Sequence, residues 1–230
     1  MIKQIEKRRR DYHRQEYQAR LSRMHAEMQA GFKFLERFDR DRVVSIFGSA
    51  QIRNGDPLYR QAMELGRMLA EEGITVVTGG GPGIMEAANR GAYDAGGRSV
   101  GINIYLRTQE RQNPYLNERI GFHYFFVRKL ILAHIAQAYV YFPGGFGTLD
   151  EFFEISTLVA TKKIEQKMPI VLYGKTYWNS LQRFLEKTAV EKYETLSKEK
   201  VRLWTITDSI TEAFEIVRKI PRRIIRSEDV

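Results

Sequence analysis

Two clusters of glycine constrain this chain of 230 residues more than anything else in it. The first is Thr78-Gly79-Gly80-Gly81-Pro82-Gly83, directly after the apolar run Ile74-Thr75-Val76-Val77. The second is Pro143-Gly144-Gly145-Phe146-Gly147-Thr148, directly after Tyr139-Val140-Tyr141-Phe142. Each opens onto a helical pattern, Ile84-Met85-Glu86 in one case and Leu149-Asp150-Glu151 in the other. A short apolar strand, a glycine turn and an amphipathic helix make one half of a β-α-β unit, and here that half occurs twice.

The rest of the chain repeats the alternation. Val43-Val44-Ser45-Ile46-Phe47 runs into the turn Gly48-Ser49, and residues 58–72 carry a helical pattern (Leu58, Ala62, Leu65, Met68, Leu69) that stops at Gly73. Ser99–Ile104 and Ile170–Tyr173 read as further strands, with a weaker one within Gly121–Phe126. Near-continuous apolar strands imply burial on both faces. The expected fold is α/β, a doubly wound, Rossmann-like parallel sheet with helices on both sides. Residues 43–220 form that domain in this reading. Residues 1–42, almost free of glycine and without proline, form an N-terminal helical extension of one or two helices. Its stripe Tyr17, Leu21, Met24, Met28, Phe32 and Leu35 is expected to be buried against the body or a second subunit. Residues 221–230 are a basic tail, and 106–117, with Asn113-Pro114, a loop over the rim of the sheet.

The net charge of +9 suggests an acidic polymer as partner, but its distribution says otherwise. Residues 1–42 hold 12 basic and 7 acidic side chains and residues 218–230 hold 5 and 2, which leaves the body at 20 against 19. The surplus belongs to the ends, and no nucleic-acid motif accompanies it, so nucleic acid is not the expected partner. There are no cysteines, which removes disulfide scaffolds, thiolate metal sites and a cysteine nucleophile. The charged start gives no sign of a signal peptide and no run approaches the length of a membrane span, so the expectation is a cytoplasmic protein without membrane contact. No His, Asp and Glu cluster has metal-ligand spacing, and no metal or cofactor is expected.

In open α/β sheets ligands bind beyond the carboxyl ends of the strands. Glycine there lets backbone N–H groups approach an anion, and the helix N-terminus adds partial positive charge. Two such turns point to a phosphorylated small molecule held between them. Neither cluster fits the dinucleotide fingerprint G-x-G-x-x-G. Gly174-Lys175-Thr176 imitates the end of a P-loop, but Pro169 stands where that motif requires its first glycine, so a kinase or ATPase lacks its cradle.

Taken together, Gly79-Gly80-Gly81-Pro82-Gly83-Ile84-Met85-Glu86, then Arg128-Lys129, then Pro143-Gly144-Gly145-Phe146-Gly147-Thr148-Leu149-Asp150-Glu151 resemble the LOG family, in its longer bacterial form. Members of that family are cytokinin riboside 5′-monophosphate phosphoribohydrolases, long misnamed lysine decarboxylases. The resemblance covers about residues 43–189. It implies hydrolysis of the N-glycosidic bond of a nucleoside 5′-monophosphate, AMP or an N6-substituted AMP, to free base and ribose 5-phosphate. It also implies a homodimer or higher homo-oligomer. Arg128 and Glu151 match the family's catalytic pair, Gly144, Gly145, Gly147 and Thr148 its phosphate turn, and Glu86 a further acidic site residue. Gly48, Ser49, Gly79, Gly80, Gly81, Gly83 and Lys129 complete the expected substrate-binding set.

The chemistry agrees with those residue types. Cleaving the C1′–N bond builds positive charge on the ribose and negative charge on the leaving base, which carboxylates and a cation can stabilise. Glu151 lies one helical turn beyond the phosphate turn and is expected on the ribose or water side. Glu86 can orient a ribose hydroxyl or water, or it can be a surface partner of Arg90 at i, i+4. Arg128 cannot serve as a base, so it holds phosphate or positions Glu151. His123 and His134 flank it and read as structural. The segment Phe125-Phe126-Val127-Arg128-Lys129 departs from the family's Met-His-x-Arg-Lys, and Ala136-Gln137-Ala138 from its Ala-Asp-Ala, so the resemblance carries the reaction further than the base. The alternative is a non-catalytic binding protein such as a molybdenum cofactor carrier, which shares the fold and a similar Pro-Gly-Gly-x-Gly-Thr turn.

Overall fold

A computed structural model describes residues 2–105, 112–164 and 168–222, with the side chains of residues 2–12 left aside. The expected rim loop therefore lies partly, and the basic tail almost wholly, outside the described residues. Seven strands alternate with helices: α1 (Ile2–Glu36), β1 (Val43–Phe47), α2 (Pro57–Glu71), β2 (Thr75–Thr78), α3 (Ile84–Asp94), β3 (Ser99–Ile104), β4 (Glu118–Phe122), α4 (Phe125–Ile135), β5 (Ala138–Tyr141), α5 (Phe146–Ala160), β6 (Ile170–Tyr173), α6 (Lys175–Phe184), β7 (Thr205–Thr207) and α7 (Ile210–Val217).

The strands form one sheet in the order β4-β3-β2-β1-β5-β6-β7, and every neighbouring pair is parallel. The doubly wound fold is thus present. Chain order reverses at β1, which pairs with β2 on one side and β5 on the other. That reversal is the switch point at which such sheets open a crevice.

Alternation along the strands explains the two layers of helix. Val43 and Phe47 of β1, with Tyr139 and Tyr141 of β5, point into a core shared with α4, α5 and the end of α1. Val44, Ile46, Ala138 and Val140 point into a second core with α2, α3 and α7. Strands buried on both faces need apolar residues at every position, which is why they stand out as unbroken runs. The caps are local: the Asp56 carboxylate accepts from Leu58 N at 2.8 Å to start α2, and Ser209 accepts from Glu212 N at 3.2 Å to start α7, each interaction worth about 1 kcal/mol. Helices α2 and α3 touch backbone to backbone, because a side chain at Gly66 or Gly91 would run into the carbonyls of Ala88 and Met63.

One expectation changes and two become more specific. The weak strand lies at Glu118–Phe122 rather than within 121–126, and Phe125 already belongs to α4. Edge position explains the weak signal, since β4 is only partly buried. The extension is a single helix of 35 residues. Its apolar stripe divides: Phe34 and Leu35, with Phe38 just beyond the helix, are buried and Met28 and Phe32 pack on the core of the body, whereas Tyr17 and Leu21 are 63% and 54% exposed on this chain. Among the described residues no helix is long and apolar enough to cross a membrane.

Candidate active site

The carboxyl ends of β1, β2 and β5 meet at the switch point, and Gly48-Ser49 joins the two glycine turns there. Ser49 N donates to Pro143 O at 3.0 Å on one side, and Ser49 O accepts from Ile84 N at 3.0 Å on the other. The Ser49 hydroxyl accepts from Gln51 N at 3.0 Å and so holds its own loop. A side chain at Gly48 would strike Ile84, its Cβ falling 2.6 Å from Cγ2.

Gly79, Gly80, Gly81 and Gly83 are all buried. Gly83 starts α3 with φ near +75° and lies against the Ser49 carbonyl, a conformation and a space open only to glycine. Beneath this first turn runs a connected set of buried side chains that the sequence reading missed. Thr78 Oγ1 donates to Asn89 Oδ1 at 2.5 Å and accepts from Gly80 N at 2.9 Å. Asn89 Nδ2 donates to Ser99 Oγ at 2.8 Å. Asn113 Nδ2 donates to Asn89 Oδ1 at 3.0 Å and Gly81 O at 3.1 Å, while its backbone N donates to Gly80 O at 3.0 Å. Asn103 Nδ2 reaches Gly79 O at 3.3 Å. The available signal was polar residues, Thr78, Ser99 and Asn103, interrupting strands that are otherwise apolar.

The second turn is built differently. Gly145 caps α5 without any side-chain hydrogen bond, and beside both Gly145 and Gly147 there is open space for at least 4 Å. Gly144 is the closed position, where a Cβ would collide with the Thr148 hydroxyl and lie 3.0 Å from Ser49 N. Tyr177 braces this turn by donating its hydroxyl to Gly144 O at 2.6 Å. The P-loop imitation thereby acquires a use: Gly174, with φ near +105°, turns the chain into α6 and brings Tyr177 to the glycine turn.

Glu151 lies on α5, beyond the exposed glycines, and is only 5% exposed. Its Oε2 is buried without a hydrogen-bond partner. Burial pushes its carboxyl up to about 7, with Arg128 pulling the other way, Glu154 pushing up and Lys129 pulling down. Arg128, in the first turn of α4, donates Nε to Ile102 O at 2.9 Å. Its guanidinium lies against Gly79, so close that a Cβ there would fall 2.5 Å from a terminal nitrogen. Arg128 thus touches the first turn while acting electrostatically on the carboxyl of the second.

Glu86 Oε1 accepts from the Tyr59 hydroxyl at 3.0 Å; burial, reinforced by this bond, raises the Tyr59 phenol to about 12. Arg90 meets Asp94 instead, Nε to Oδ2 at 3.4 Å, and its guanidinium covers the Tyr115 ring. Lys129 binds Asp150 at 2.9 Å and Glu154 at 3.3 Å along the outer side of α5. The structure therefore brings Gly48, Ser49, Arg128, Glu151, Thr148 and both turns together, and sets Lys129 against a carboxylate pair beside them. Among the described residues no His, Cys, Asp and Glu cluster gathers as a metal site.

Comparison with known proteins places these features in context. Residues 85–217 match the family described as "Possible lysine decarboxylase". A Rhodococcoides fascians protein named cytokinin riboside 5′-monophosphate phosphoribohydrolase is 30% identical over 155 residues, 66% of this chain and 78% of its own. The Arabidopsis thaliana protein named cytokinin riboside 5′-monophosphate phosphoribohydrolase LOG1 is 29% identical over 189 residues, 81% and 86% of the two chains. Among solved structures, the molybdenum cofactor binding protein of Rippkaea orientalis superposes with a TM-score of 0.60 at 21% identity, over 78% of this chain and 96% of that one, a likeness of fold.

Proposed function

Since the chain belongs to the LOG family, described as possible lysine decarboxylases, we propose that it is a phosphoribohydrolase that cleaves the N-glycosidic bond of a nucleoside 5′-monophosphate, AMP or an N6-substituted AMP. The observation that carries this reading is Glu151: a buried carboxyl with one unpartnered oxygen, next to an open glycine turn and within the field of Arg128.

In this reading the 5′-phosphate seats on the N-terminus of α5, where Gly145 and Gly147 leave room and backbone N–H groups face an anion. The ribose then extends along the crevice towards Glu151. As the C1′–N bond lengthens, positive charge grows on the ribose and the Glu151 carboxylate stabilises it; the water oxygen bonds to C1′ and gives its proton to Glu151, while the base leaves with the electron pair of the broken bond and takes a proton from solvent. Poised near 7, the group is available as a base at neutral pH and can accept that proton. Arg128 favours the ionised form of Glu151 and offers positive charge to the nucleotide. Glu86, held by Tyr59 at the start of α3, takes the role of orienting a ribose hydroxyl or water in this reading.

Glycine turns alone would equally suit a carrier that holds a phosphorylated ligand uncleaved. Holding a ligand uncleaved does not call for an acid buried at an energetic cost, and Glu151 therefore favours the enzyme. Incubation with a panel of nucleoside monophosphates, followed by chromatography for free base and ribose 5-phosphate, tests the reading. Base from at least one nucleotide, lost in Glu151→Gln, supports it. Binding without release from any of them refutes it.

A further inference from the structure

Helix α4 carries Arg128 in its first turn, yet nothing in α4 closes that turn. Tyr124 is the N-cap and makes no side-chain capping bond. A helix start leaves backbone donors without partners, and a capping carboxylate normally comes from the same short segment. Here it comes from α1, 96 residues earlier in the chain. Glu27 accepts from His123 N at 3.0 Å through Oε1 and from Tyr124 N at 3.2 Å through Oε2, and His123 Nδ1 lies 2.7 Å from Oε1. Its side chain is 16% exposed. One turn further along α1, Gly31 faces α4 so closely that a Cβ would fall 2.7 Å from Ile131. A carboxylate and a glycine at i, i+4 therefore fix the position of α1 along α4.

We infer that Glu27 is a positioning residue for Arg128: the N-terminal extension caps α4 from outside and thereby holds the guanidinium between Ile102 O and the Gly79 backbone. The first intrahelical bond of α4 runs from Arg128 N to Tyr124 O, so the residue that Glu27 anchors is the one on which Arg128 hangs. A negative charge at this end also suits the helix dipole. The kinetic arm of this inference rests on the proposed reaction; its structural arm does not.

The test uses the full chain as wild type, Glu27→Ala, Glu27→Gln and Leu35→Ala. Two quantities are measured well below the melting temperature: amide hydrogen exchange across residues 123–128, and kcat/KM for base release from AMP. Glu27→Ala is expected to speed exchange there and to lower kcat/KM, each by about tenfold, the scale of a lost cap. Glu27→Gln keeps an acceptor oxygen and should lose less than about threefold. Leu35→Ala loosens the same helix by lost packing, so it should lower the melting temperature yet hold kcat/KM within about twofold. If Glu27→Ala does not fold, Glu27→Asp, whose carboxylate stops one methylene short, carries the same comparison. Unchanged exchange at 123–128, or an equal loss of activity in Leu35→Ala, would overturn the inference. If wild type releases no base, the proposed reaction falls, and exchange together with the affinity for ribose 5-phosphate in the same proteins decides the role of Glu27.

Discussion

The two glycine turns look alike in the sequence and are opposites in the structure. The first has its four glycines, Gly79, Gly80, Gly81 and Gly83, buried: Asn103, Asn113 and Arg128 crowd its backbone, and Thr78 and Asn89 brace it from below. The second, Gly144–Thr148, is closed only at Gly144 and opens at Gly145 and Gly147. Glycine serves close packing in one turn and leaves open space in the other. The contrast supports the proposed seat of the phosphate at the second turn, with the first as a wall against which Arg128 lies.

The strongest way to break this contrast is to neutralise the acid beside the open turn. Glu151→Gln should lower kcat for base release by about 10³-fold while leaving the fold intact, as expected for loss of a group acting on the reacting atoms. A loss below tenfold would move the chemistry elsewhere.

Next in size is the wall itself. Asn89→Ala removes a side chain whose amide serves Thr78, Ser99 and Asn113 at once, leaving buried polar groups unpaired. A destabilisation of about 2–4 kcal/mol by denaturant titration is expected, with the larger effect on stability rather than on turnover. A variant as stable as wild type would show that the first turn needs no bracing.

The same carboxyl makes a third prediction, about stability. The native Glu151 carboxyl holds its proton up to about 7, above its ordinary 4.5, so between these values the unfolded chain carries fewer protons than the native one. Stability contributed by this group therefore falls as pH rises through that window. Its cost is fully present above about 7, at roughly 3 kcal/mol from the shift. Glu151→Gln should raise the melting temperature at pH 8 and much less at pH 5. An equal gain at both values would contradict the burial argument.

The smallest effect separates the two kinds of glycine most cleanly. Gly147→Ala puts a methyl into open space on a helix, so stability should hold or rise slightly, while KM rises about tenfold if a phosphate must approach there. Gly144→Ala collides with Thr148 and should lose stability as well.

How much of this was legible in the sequence follows from burial. β1, β3 and β6 are buried at every position and announced themselves as apolar runs with their observed bounds. β4 and β7 lie at the two edges, half-exposed and short, and gave a blurred signal and none. The start of α4 was obscured because Phe125 and Phe126 suggest a strand locally and the capping group lies on another helix. Glu151 and Arg128 were legible through their motifs. The unpartnered oxygen of Glu151 and the engagement of Lys129 with Asp150 and Glu154 were not, because each depends on helices brought together only by the sheet.

The central claim, that a buried Glu151 carboxyl acts as the base on a nucleotide anchored at the second turn, is tested most directly by the pH dependence of kcat/KM for adenine release from AMP. The account predicts activity that rises with pH through about 7, following ionisation of Glu151, and then levels off, with the rise absent from the residual activity of Glu151→Gln. A rate that is flat across pH 5–8, or an identical profile in Glu151→Gln, would contradict it.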